Sequence, residues 1–89
     1  MTYLQTKVRK MTYPYLDKLP LNDAQKQAIT DAEYENAPTL YIMCKFIPTA
    51  MKQVLGVASL DELETALWQQ LDEVERAEVQ QELDDLKNL

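Results

Sequence analysis

Histidine is absent from this 89-residue chain, and cysteine, glycine and tryptophan occur once each. Without histidine, the side chain best suited to general-base work and metal binding near neutral pH is missing. A nucleophile at Cys44 would need such a base, or another setting that lowers its pKa, and the sequence shows neither. Cys44 is therefore expected to be a small buried apolar residue. One cysteine also excludes an intramolecular disulfide and fits a reducing cytoplasm. No run of spaced Asp/Asn with a glycine turn forms a calcium loop, so no metal and no cofactor are expected. The opening MTYLQTKVRK lacks the apolar core of a secretory signal. The longest apolar-rich run, residues 40–47, is interrupted by Lys45 and is far too short to cross a bilayer, so no membrane is expected among the partners.

What remains is ordinary for a folded protein: 46% of residues are hydrophobic. A chain of this size holds one modest core, so a single helical domain over 1–89 is expected. Charge is unevenly spread. Residues 1–58 carry seven Lys/Arg and five Asp/Glu, a net +2, whereas 59–89 carry two and ten, a net −8. A tail of that charge repels phosphate backbones, so nucleic acid is disfavoured as a general partner. The basic residues Lys7, Arg9, Lys10 and Lys18 are expected to complement the acidic tail, within one chain or between subunits.

Taken in order, Thr2 with Gln5 forms a capping-box pattern ahead of an apolar stripe at Leu4, Val8, Met11 and Tyr15, with Pro14 stopping that helix near Thr12. The connector YPYLDKLP has two prolines, which preclude a long helix, and bulky residues at Tyr13, Tyr15, Leu16 and Leu19 that should lie over the core. Asn22 caps the next helix with Gln25 in the box position, and that helix should run to about 34–36, lining a face with Ala24, Ala28, Ile29 and Ala32. The acids Asp31, Glu33 and Glu35 near its end oppose the helix dipole and suggest a cationic neighbour such as Lys7 or Arg9. The segment TLYIMCKFI, residues 39–47, is expected to be a helix buried nearly all round, because no second strand exists to pair with it. Pro48 opens a short helix that Gly56 ends in a left-handed conformation. Ser59 is then expected to cap the following helix, with Glu62 closing the box and Ala58 stapled to Leu63.

The tail contains two apolar stripes. Leu60, Leu63, Leu67, Leu71 and Val74 form the first; Val79, Leu83 and Leu86 form the second, with Trp68 in phase with it. The stripes differ by roughly 120° at 100° per residue. Either one helix shows two faces, or the chain breaks near Leu71 and Asp72 caps a new helix with Glu75. In both versions the second stripe is expected to face away from whatever the first contacts.

The junction LGVASLDEL resembles pieces of two DNA-binding families, the helix-turn-helix and the helix-hairpin-helix. The first wants alanine four residues before the glycine and an apolar residue six after it; Lys52 and Glu62 stand there. The second wants two glycines in its turn, and this chain has one.

These readings predict an all-α fold, an irregular bundle of four to six short helices with a long or kinked C-terminal segment. Its expected core is Leu4, Val8, Ile29, Leu40, Met43, Phe46, Ile47, Val54, Leu55, Leu60, Leu63, Leu67 and Leu71. The expected function is a non-catalytic, acidic protein-interaction module of a bacterial or phage-like cytoplasm. Its partner would meet Trp68, Val79, Leu83, Leu86 and Leu89, which would also support a homodimer. The alternative is a nucleic-acid regulator, binding DNA through the Gly56 junction or mimicking it with carboxylates. Adjacent acids such as Glu33 with Glu35, or Asp84 with Asp85, are the only hint of enzyme chemistry.

Overall fold

The computed structural model describes residues 13–89. The expected first helix, its core residues Leu4 and Val8, and the cations Lys7, Arg9 and Lys10 lie outside the described residues. Among those described there is one 3-10 helix, Pro14–Lys18, and five α-helices with no strand. In chain order the α-helices are α1 (Asp23–Asp31), α2 (Ala37–Phe46), α3 (Pro48–Leu55), α4 (Asp61–Gln70) and α5 (Glu73–Lys87). The fold is an all-α bundle.

Its hub is α2, the most apolar segment, which packs against α3, α4 and α5. Asn36 caps it, accepting from the Thr39 N–H (3.0 Å) and hydroxyl (2.9 Å). Ala37, Leu40 and Cys44 form its buried stripe. Burial all round does not occur. Phe46, roughly 200° round the helix from Cys44, points away from the stripe and is 48% exposed. Met43 is only half-buried. Ile47 and Val54 are also exposed instead of in the core. Ile47 sits at the corner between α2 and α3 with φ −129° and ψ 60°, a residue kept out of helical geometry by Pro48 after it. Met51 and Leu55 take the inward face of α3, and Val54 is turned about 100° from Leu55.

Local signals place most helix ends. Asn22 and Gln25 make the full reciprocal box, and the Gln25 amide also donates to the Leu55 carbonyl at 3.1 Å, tying α1 to the end of α3. Helix α1 stops at Asp31, earlier than expected. Glu33 adopts φ +62°, and the Glu33 and Tyr34 N–H groups return to Thr30 and Ile29 carbonyls, a Schellman turn without its glycine. Only Ile29 of the expected α1 face is fully buried. Gly56 closes α3 in the left-handed region, φ +68°. The Ser59–Glu62 box does not form. Leu60 is drawn into the core (3% exposed), so α4 begins one residue later and the Ser59 hydroxyl accepts from the Asp61 N–H instead.

The proline-flanked connector lies on the core as expected. Leu16 and Leu19 are buried, the Tyr15 hydroxyl donates to the Tyr34 carbonyl at 2.6 Å, and the Gln70 amide donates to the Tyr15 carbonyl.

The tail is two helices. Leu71 and Asp72 are extended, and Asp72 with Glu75 forms a complete capping box. Leu60, Leu63, Leu67 and Leu71 are buried, but Val74 falls beyond the break and is 66% exposed. The break reverses the chain. Contacts of Lys45 with Glu64 and Tyr41 with Trp68 show α4 antiparallel to α2. Helix α5 returns beside α2 on another side, with Leu83 near Tyr41, Lys45 and Phe46. The second stripe therefore does not face away: Val79 is 1% exposed and part of the same core cluster as Leu40 and Leu67.

Candidate interaction surface

The functional candidates gather where α2 is flanked by α4 and α5. Trp68 is half-buried near the end of α4. Its ring meets Tyr41 at 5.2 Å between centroids, tilted 41°. The Arg76 guanidinium lies 5.3 Å over the Trp68 ring and donates through Nε (3.2 Å) and Nη2 (3.0 Å) to the Trp68 carbonyl. That carbonyl belongs to the last turn of α4, where a cation is favoured by the dipole. Arg76 thus holds both the ring and the α4–α5 turn.

Lys45, one turn after Tyr41, places its Nζ 3.0 Å from the Glu64 carboxylate and 5.6 Å over the Tyr41 ring. The Glu64 hydrogen bond is the main reason the Lys45 pKa is raised, with burial acting against it.

Two clefts share Tyr41 and Lys45. One, of about 450 Å³, lies between α2 and α4 and is walled by Trp68, Glu64, Asp61 and Thr65. The other, of about 460 Å³, lies between α2 and α5 and is walled by Phe46, Gln80, Leu83 and Lys87.

The five residues singled out from sequence separate. Trp68 and Leu83 each line a cleft. Leu86 is half-buried on α5, and Leu89 is 96% exposed beyond its end. Val79 is interior and takes no part in any surface. Sequence reasoning missed Tyr41, Lys45, Phe46 and Lys87. A usable signal existed: residues 36–60 contain no Asp or Glu, and only Lys45 and Lys52 are charged there, in a chain with fifteen acids.

Cys44 is fully buried. Its thiol is pushed up to about 12, chiefly by burial and then by the nearby Glu64 charge, so it stays protonated and unreactive near neutral pH. Glu33 and Glu35, and Asp84 and Asp85, are exposed. Among the described residues no group of three or more His, Cys, Asp or Glu could hold a metal ion. No helix there is long and apolar enough to cross a membrane. At the Gly56 junction, the first turn of α4 carries Asp61, Glu62 and Glu64, which place negative charge at the end of the helix where a phosphate would have to approach. The chain matches no family model, no curated protein and no solved structure.

Proposed function

We propose that this protein is a non-enzymatic interaction module that binds another protein through the face formed by α2, α4 and α5. The observation that carries this reading is the Tyr41–Trp68 pair, half-exposed and locked by Arg76, continuing into Phe46 and Leu83. Trp, Tyr and Arg dominate the energetics of protein interfaces. Rings already held in place lose little further freedom on binding. A reducing cytoplasm remains the expected setting.

Affinity capture from the native host tests it. A partner retained by the wild type should be lost with Phe46→Asp, an exposed change that spares the core, and weakened with Trp68→Ala. A partner retained equally by all three would remove this face from consideration. The nucleic-acid reading is separated by gel shift: retardation of duplex DNA at low salt, relieved as salt rises, would favour it.

A further inference from the structure

The geometry points to a second copy of this chain as the occupant of the α2–α5 cleft, in a two-fold dimer; this rests on the interaction reading above. Among the described residues the cleft has an apolar wall of Phe46, Leu83 and the Tyr41 ring, and its charged lining is Lys45 and Lys87. Among the described residues no carboxylate lines it, in a protein with fifteen acids and nine bases. Such a site suits an apolar group accompanied by a carboxylate.

The same end of the molecule supplies that combination. Asp84 stands one turn before Lys87 on α5 and is exposed. Phe46 is 48% exposed at the adjoining end of α2. One patch therefore holds an apolar centre with both signs of charge beside it, which is what a self-complementary two-fold contact requires. In the dimer Phe46 of each copy packs on Leu83 of the other, and Asp84 of each copy meets Lys87 of the other. Lys87 has no ion pair among the described residues, whereas Lys45 already holds Glu64, so Lys87 is the cation open to an incoming acid. Net charge of −6 per copy opposes association. The apolar centre supplies affinity, and the charge pairs set the register.

Sedimentation equilibrium of the full chain, up to about 500 µM, tests this in the concentration range of a weak dimer. The wild type is expected to approach dimer mass. Phe46→Asp should stay monomeric with an unchanged helical circular dichroism spectrum. Lys87→Glu and Asp84→Lys should each weaken the dimer by about tenfold, and the double variant should recover it. A wild type monomeric throughout, or a dimer that Phe46→Asp leaves intact, overturns the proposal. If the wild type is monomeric and Phe46→Asp still abolishes capture of a host protein, the second copy is excluded while the interaction module stands. If neither dimer nor capture depends on Phe46, both fall.

Discussion

Glu33 shows how a single residue departs from its local rule. It occupies the left-handed position of a Schellman turn at φ +62°, where glycine is the usual occupant. The left-handed conformation costs a residue with a Cβ about 1–2 kcal/mol. Glycine's greater freedom in the unfolded chain offsets about 0.5–1 kcal/mol of any gain. Its carboxylate also lies at the C-terminus of α1, where negative charge is unfavourable by about 0.3–1 kcal/mol. Glu33→Gly should therefore stabilise the protein by about 1 kcal/mol, read as a higher urea midpoint at unchanged slope. No gain, or a loss, would show that Glu33 makes compensating contacts. The helix end was misplaced from sequence for this reason: no glycine marks it, and Pro38 suggested a later stop. At Gly56, where the glycine is present, the end was legible.

At the scale of elements, the capping patterns at Asn22 and Asp72 were readable because both boxes close within four residues. The Ser59 box was equally plausible by pattern and did not form, because burial of Leu60 outweighs a local hydrogen bond. Burying leucine is worth about 1.5–3 kcal/mol, against about 1 kcal/mol for a cap. The tail shows the same limit. Its two stripes were legible, as was the break at Leu71–Asp72 as one alternative. The reversal that brings both stripes onto α2 was not, since it depends on the direction in which α5 leaves the turn. Arg76 fixes that direction through the Trp68 carbonyl, a contact across eight residues. Val79 is the discriminating position. Its place in the core predicts that Val79→Ala costs about 2–3 kcal/mol. Leu89→Ala, at a residue 96% exposed, should stay within about 0.5 kcal/mol. Chemical denaturation of the two variants checks this, and equal small effects would mean α5 is not docked on α2.

For the whole molecule, the all-α class and the burial of Leu40, Leu55, Leu63 and Leu67 were legible from helix start and stop signals, from the lack of a strand to pair with residues 39–47 and from the stripe spacing of the tail. The proposed binding face was not, because it combines α2 with α4 and α5, which lie beyond α3 in the chain. Groups held in and over the core leave a global signature in the response to pH. Tyr15 is held above its ordinary range, first by burial and then by Tyr13 and Cys44. Cys44 rises from 9.0 to about 12, mainly through burial. Both keep their protons in the fold and surrender them in the unfolded chain as pH passes their ordinary values. The unfolded state then binds fewer protons than the native one, so stability falls with rising pH. Lys45, raised by its hydrogen bond to Glu64, acts with the same sign: its contribution is complete below the ordinary lysine range and is lost as pH climbs through the folded value. Above pH 9 the buried thiol alone should remove about 1.4 kcal/mol per unit, or about 2–3 kcal/mol by pH 11, a large part of the roughly 5–15 kcal/mol typical of a domain. Urea midpoints should thus be level from about pH 7 to 9 and fall steeply beyond. Cys44→Ala lowers the plateau by leaving a small cavity, but it should delay the onset of the fall toward the tyrosine range. A midpoint unchanged to pH 11, or an onset that Cys44→Ala does not move, would place the thiol in contact with water and contradict the packing of α2 at the centre of the fold.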